Sequence, residues 1–271
     1  MKKITFLFIG LFLIINCEDP IAIDLNEAEP ILVVEAYINW IKEIGSSEQE
    51  VILSLSSPFF GTSYKAANGA KVYIESEAGQ IYSFIEEKDS GRYLSRDTLP
   101  YVLNRTYTLN IKYNGERYSA TETLKAVSSL TRIDQEKVNL FGQEAVQLEA
   151  HALDPVNERN FSYFEFTSDS LEVPEYNVYR DDFSNGGEYY GFLLDRDLEQ
   201  GDLVRIRQYG LSNFAYNYWY LLILQNTQQG GPFQTTPVNL LGNLIHETDP
   251  TRNPFGYFRL SEVSEINYQI K

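Results

Sequence analysis

From Ile31 to Thr123 the chain repeats one pattern: a short run in which apolar and polar residues alternate, then a turn. Ile31 to Ile38 is apolar and β-branched. Val51, Leu53 and Leu55 alternate with polar residues, Val72 and Ile74 share a face, and Ile81 to Ile85 and Arg92 to Leu94 follow. Tyr107, Leu109, Ile111 and Tyr113 alternate with Thr108, Asn110 and Lys112, and Arg117 to Thr123 returns. Gly79-Gln80, Asp89-Ser90-Gly91 and Asn114-Gly115 punctuate the runs, the last being a strong hairpin signal. A period of two cannot be a helix face; it places apolar side chains on one side of a strand and polar ones on the other. Six or seven such strands between residues 31 and 125 predict a β-sandwich of antiparallel sheets with one wet face.

A polar stretch without turn glycines, Ala126 to Asp134, marks a boundary, and a second β-rich unit follows. Ala145 to Ala150 alternates. Phe161, Tyr163 and Glu165 face opposite to Ser162, Phe164 and Phe166. Leu203 to Tyr209 reads as an edge strand with Arg205 and Arg207 outward, Asp169 to Gly187 as a long polar insertion, and Gly256 to Leu260 as the last strand. One helix is expected near 213–226, capped by Ser212 or Asn213 and ended by Gly230-Gly231-Pro232-Phe233. Phe214, Tyr218, Leu221 and Leu222 stand at helical spacing on it, with Gln225 as the polar exception. The expected fold class is mostly β: two β-sandwich domains, immunoglobulin-like or transthyretin-like, over residues 31–125 and 126–271, the second carrying the α-helix.

The amino terminus is different. Met1-Lys2-Lys3 precedes an apolar run from Ile4 to Ile15, and Cys17 follows directly after Asn16. A basic start and a short apolar run form a secretory signal, too short to span a bilayer. A cysteine at its end reads as the acylated first residue of a bacterial lipoprotein. Residues 1–16 are therefore expected to be a signal peptide and 17–30 an acidic tether, with the membrane held through lipid on Cys17. Cys17 is the only cysteine, so neither an intramolecular disulfide nor a thiolate metal site is available, and stability must come from burial. The 20 Tyr and 16 Phe suit pleated, half-buried surfaces. The net charge is −16, and −18 once Lys2 and Lys3 leave with the signal, which argues against nucleic acid and against anionic headgroups as partners.

Reaction chemistry is not written in these residues. There is no glycine-rich phosphate loop, nucleophile elbow or His-Glu-x-x-His pattern. His151, with Asp154 after it, and His246, followed by Glu247 and Asp249, lack the three or four ligands at workable spacing that zinc needs. Both are expected to be loop or strand-edge histidines. Asp195, Asp197 and Glu199 alternate as calcium ligands can, but the loop glycine and remaining ligands are missing, so a solvated acidic turn is expected, and likewise at Asp181-Asp182. Tyr176, Tyr179, Tyr189 and Tyr190 in or beside the long insertion are candidates for an exposed binding cluster, against the plainer reading as sheet cladding. No catalytic residues, metal or cofactor are expected, and the chain reads as a non-enzyme.

Several segments together resemble a known family. They are Cys17-Glu18-Asp19-Pro20, Leu32 to Ile38, Gly69-Ala70-Lys71-Val72, Gly115 to Ala120, Gly231-Pro232-Phe233 with Leu241-Gly242-Asn243-Leu244, and Asn253 to Phe258. In this order and spacing they resemble a domain-of-unknown-function family of Bacteroidota outer-membrane lipoproteins, often encoded beside TonB-dependent transporters. Glu18 and Asp19 resemble the acidic signal that sends such lipoproteins to the outer face. The resemblance implies a lipid-anchored outer-membrane protein facing the cell exterior, a non-enzymatic accessory or capping subunit of a TonB-dependent transporter. Its contacts are expected from Asp169 to Gly187 and Gly230 to Asn243. The alternative is a surface protein that itself captures a glycan or peptide, and a surface hydrolase is the third reading. No site residues come with the resemblance.

Overall fold

The computed structural model describes residues 29–57, 65–156, 158–182, 186–227 and 240–271. The signal peptide, Cys17, Glu18, Asp19 and the helix-ending Gly230 to Phe233 lie outside the described residues, as do most of the tether and parts of both contact loops.

Among the described residues the chain is mostly β, with two sheets and one longer helix. The first half supplies β1 (Leu32–Ile41), β2 (Ser46–Leu55), β3 (Lys65–Ala66), β4 (Lys71–Ser76), β5 (Ile81–Glu86), β6 (Arg92–Ser95), β7 (Thr106–Tyr113) and β8 (Glu116–Thr123). The second half supplies β9 (Leu130–Leu140), β10 (Gln143–Leu153), β11 (Phe161–Thr167), β12 (Glu175–Arg180), β13 (Glu188–Asp195), β14 (Leu203–Gly210), α1 (Asn213–Thr227), β15 (Leu244–His246) and β16 (Phe255–Gln269). The larger sheet runs β12-β11-β14-β16-β1-β2-β6-β5-β4-β7-β8-β15, with β3 beside β2, and the smaller runs β13-β10-β9.

The turn chemistry acts where the sequence placed it. Asn114 (φ 48°) and Gly115 (φ 84°) join β7 to β8 in the doubly positive conformation that matches strand twist. A second turn of this kind, Phe141 (φ 51°) and Gly142 (φ 89°), joins β9 to β10 and escapes sequence reading because Phe is an uncommon left-handed residue. The strand it serves, β9, takes up half of the stretch read as a boundary. Its sequence, LTRIDQEKVNL, does not alternate cleanly because it is an edge strand that buries only a few apolar side chains.

β16 is the organising element. Its first part pairs parallel with β1, from Val33 opposite Phe255 to Ile41 opposite Val263. Its second part pairs antiparallel with β14, from Tyr209 opposite Val263 to Leu203 opposite Gln269. The strand read from sequence as Gly256 to Leu260 is thus three times as long and connects the two halves of the larger sheet. Even-numbered Phe258 and Leu260 enter the first core with Val34, Ile38, Leu53, Ile74 and Leu109, and Leu244 joins them there. Ile266 packs instead against the second core, where Leu148 and Ala150 of β10 meet Phe164, Phe166, Val204 and Ile206 between the two sheets. Odd-numbered Tyr257 and Val263 face the other way, toward α1, with Tyr163 and Tyr209. Gly256 makes the entry to β16 possible. Its φ is +99°, and a Cβ there would stand 1.9 Å from the Val34 carbonyl oxygen.

Candidate functional site

On the face of the larger sheet that bears α1, the strands leave a cleft of about 940 Å³ beside the helix. Strand periodicity builds its floor. Glu35, Tyr37 and Asn39 are the odd-numbered residues of β1, whose even-numbered partners fill the first core. The same alternation brings Glu48 and Glu50 from β2, Arg205 and Arg207 from β14, Tyr163 and Glu165 from β11, and Arg259 from β16. α1 supplies one wall with Tyr218, Trp219, Leu222 and Ile223, and Val173 to Tyr176 the other.

Arg259 is the central feature. It is 4% exposed, and among the described residues no carboxylate comes within ion-pair distance. Its guanidinium sits 4.2 Å from the ring centre of Tyr209, 4.9 Å from Tyr37, and 5.5 Å from both Tyr163 and Trp219. Ring faces attract a cation, the more so away from water. Nη2 donates to Asn39 Oδ1 at 3.3 Å, while Nε has no acceptor. Trp219 Nε1 is also buried without an acceptor. The rings brace each other: Tyr163 lies 4.7 Å from Trp219 and stacks on Tyr176 at 5.6 Å.

The carboxylates around this cage differ in commitment. Glu48 and Glu265 hold Arg207, Glu50 pairs with Arg92, and Glu165 accepts the Tyr209 hydroxyl. Burial raises the Glu48 carboxyl, but hydrogen bonds and charge from Arg207, with Asn39, outweigh it and hold the group below its ordinary range. Burial, then the charge of Glu50, raises Glu35. Burial and then Glu35 push the Tyr218 hydroxyl up to about 12. The cleft thus offers aromatic faces, a guanidinium donor and an ionisable acceptor within one concave surface, which suits a polar ligand with both donors and acceptors.

Sequence reading reached some of these residues and misplaced others. Arg205 and Arg207 were expected on an edge strand, but β14 is interior, between β11 and β16, and Arg207 is buried by its ion pairs. The helix begins where expected, with Ser212 Oγ accepting from the Ala215 amide at 3.1 Å. Its packed face is Ala215, Tyr216, Tyr218, Trp219 and Ile223, whereas Phe214 and Leu221 are exposed. A segment apolar nearly all round gives periodicity no face to choose. The four tyrosines do not form one exposed cluster. Tyr176 lines the cleft, Tyr179 and Tyr189 stack at 3.8 Å against the second core, and Tyr190 is half exposed on the smaller sheet. Arg259, Tyr37 and Trp219 were missed. The polar face of β1 was the available signal for Tyr37, and nothing local marks Arg259.

The acidic candidates resolve into turns. Asp195 Oδ1 accepts from the amides of Asp197 at 2.7 Å and Leu198 at 3.2 Å, capping its own turn. Asp182 pairs with Arg180. Asp154 is buried and accepts from Asn160 and the Gly186 amide. His246 is buried on β15, at the end of the larger sheet, and its Nδ1 accepts the Asp249 amide at 3.0 Å. Glu247 pairs with Arg117, and Asp249 caps the short turn after it. His151 departs from expectation: it is buried on β10, the middle strand of the smaller sheet, with carboxylates of Asp134, Glu149 and Glu188 around its ring.

These features define a β protein with a concave, aromatic, mixed-charge cleft on the helix-bearing face of its larger sheet. The chain belongs to the family described as Domain of unknown function (DUF4249), whose model matches residues 18–267. Among curated proteins none matches the chain. Among solved structures it is similar to a two fibronectin type-III domain segment from chicken tenascin, at 11% identity and a TM-score of 0.22, over 70% of this chain and 91% of that one. So loose a superposition does not relate individual strands, and the strand registers above stand on their own. Among the described residues no helix is long and apolar enough to cross a membrane.

Proposed function

We propose that this protein is a non-enzymatic ligand-capturing module, tethered to the outer membrane by lipid on Cys17, and that the cleft around Arg259 is its capture site for a glycan or peptide. The observation that carries this reading is the cage itself: a buried guanidinium without an acid partner, walled by half-buried Tyr37, Tyr176, Tyr218 and Trp219 in a cleft of about 940 Å³. Such a concentration of aromatic surface at a concave site is what stacking on a sugar or a peptide side chain requires. The test is a glycan and peptide binding screen on the purified protein, followed by Trp219→Ala and Tyr176→Ala. Binding that both substitutions weaken at least tenfold supports the reading. Ligands that bind equally well to both variants would remove the cleft from consideration.

A second reading, the accessory subunit of a TonB-dependent transporter in Bacteroidota, is favoured by the outward side of α1. There Phe214, Tyr220 and Leu221 are 55%, 45% and 42% exposed, an apolar strip beside the mouth of the cleft that suits a protein partner. Purification of the lipidated protein from its own cells in mild detergent distinguishes the two. A stoichiometric β-barrel transporter supports the accessory role, and a lone lipoprotein favours capture without it.

A further inference from the structure

We propose that Asp134, Glu149 and His151 form a binding site for a zinc-like divalent metal ion on the smaller sheet, on the face turned away from the second core. Register brings them together. Glu149 lies opposite Asp134 and His151 opposite Arg132 across the β9–β10 ladder. Leu148, Ala150 and Ala152 of β10 and Ile133 of β9 point into the core, so the residues alternating with them share the other face.

The geometry is that of a coordination shell. His151 Nε2 lies 3.1 Å from Asp134 Oδ2 and 3.4 Å from Glu149 Oε2, and the three ligand atoms lie within 4.8 Å of one another. Tetrahedral zinc with bonds of 2.0–2.2 Å holds its ligand atoms about 3.3–3.6 Å apart. The two histidine–carboxylate separations match within a few tenths of an ångström. His151 is 4% exposed, and its Nε2 is buried without a properly directed hydrogen bond, although both carboxylates are close. A buried polar nitrogen rarely goes unsatisfied, and here it points between two carboxylate oxygens.

The surroundings supply the outer support that metal-bound histidines and carboxylates use. Gln147 Nε2 donates to Glu149 Oε1 at 3.0 Å, which leaves Oε2 toward the histidine. Glu188 Oε2 lies 3.3 Å from His151 Nδ1 and can accept its proton. Arg132 is the competing cation. Its Nη2 lies 3.2 Å from His151 Nδ1, and its Nε donates to Asp134 Oδ2 at 3.0 Å. Since guanidinium only donates, the metal-free ring keeps its proton on Nε2. Metal entry at Nε2 displaces that proton, and the neutral ring takes one up on Nδ1, facing Glu188, so that no net proton is released. Arg132 then withdraws from Nδ1 and Asp134 but keeps Glu188, to which Nη2 donates at 2.9 Å. Three carboxylates against one arginine leave two negative charges for a dication to neutralise. An imidazole with two carboxylates suits zinc and its neighbours, not calcium or magnesium, which take oxygen alone. With three protein ligands, one position stays open for water. His246 is the internal contrast. Its Nδ1 accepts from the amides of Asp249 and Thr248, so its proton is fixed on Nε2, which faces the single carboxylate of Glu116.

The test is zinc titration of the untagged whole protein in mild detergent, followed by calorimetry, with cobalt(II) absorption as a spectroscopic check. One equivalent is expected to bind, with tetrahedral cobalt bands. His151→Ala and Asp134→Asn should each weaken binding at least tenfold, His246→Ala should leave it unchanged, and Arg132→Gln should tighten it. Asp134 is half exposed, so Asp134→Asn tests the site even where His151→Ala disturbs folding. Failure to bind one equivalent, binding that survives Asp134→Asn, or weaker binding in Arg132→Gln would overturn the assignment.

Discussion

Arg207 grips the Glu48 carboxylate through two parallel hydrogen bonds, Nη1 to Oε2 at 2.9 Å and Nη2 to Oε1 at 2.7 Å, across 159 residues of sequence. Its Nε donates to Glu265 Oε2 at 2.6 Å. One side chain therefore ties β14, β2 and β16 together under the cleft, and the planar fork of arginine makes this possible where a lysine could reach only one oxygen.

Glu48→Gln should destabilise the protein by about 1–2 kcal/mol at neutral pH. A wholly buried pair loses about 3–5 kcal/mol when one partner is removed. Glu48 is 46% exposed and Glu265 stays on Arg207, so solvent screening and the second carboxylate reduce the cost. Chemical denaturation of both proteins measures it.

The same pair sets a pH dependence. Glu48 has its carboxyl held below the ordinary value of 4.5, so its contribution is present above pH 4.5 and is lost as pH falls through the depressed value. The stability gap between wild type and Glu48→Gln should be full at pH 7 and shrink steadily below 4.5. A gap that is constant or grows toward pH 3 would contradict the assignment.

The two tryptophans report separately. Trp40 is in the first core with its Nε1 donating to the Leu99 carbonyl at 3.2 Å, while Trp219 lines the cleft. A ligand entering the cleft should change the fluorescence of Trp219 alone. Trp219→Phe should abolish the ligand-dependent signal, and Trp40→Phe should preserve it while lowering stability. Fluorescence titration of both variants checks this.

Gly256→Ala should cost at least about 2–4 kcal/mol, because a left-handed backbone and a close approach to Val34 act together. Cβ at 1.9 Å from a backbone oxygen cannot be relieved by rotating a side chain. The parallel β1–β16 pairing is expected to loosen first, which hydrogen exchange of the Val34 to Ile38 amides would reveal.

Phe164→Ala should cost about 3–5 kcal/mol by leaving a cavity between the two sheets. The ring is fully buried and packs over Gly191 of β13, where even a methyl group would stand 2.4 Å from it. The thermal unfolding midpoint of the variant measures the loss.

Local order was legible from the chain and longer-range order was not. β7 and β8 follow from alternation, β1 from its apolar, β-branched run, the Asn114-Gly115 hairpin from its dipeptide, and the Ser212 cap from its hydroxyl, because each depends on residues a few positions apart. In the candidate site Tyr176 had been singled out for binding, and the Asp169 to Gly187 stretch that carries the Val173 to Tyr176 wall had been expected to make contacts. Arg207 had been seen but turned to solvent, since an alternating strand does not say what covers its polar face.

By itself, then, the sequence determined that this would be a β protein, where its strands turn, and that it must hold together without disulfides. Tertiary structure decided that β16 lies parallel to β1, that Arg259 is caged by rings from β1, β11, β14 and α1, and that His151 stands among carboxylates from three strands. The physical reason is range. Side-chain direction along a strand is set by the backbone at neighbouring residues. Which strands become neighbours is set by closing loops of a hundred residues or more and by burying the apolar faces those loops bring together.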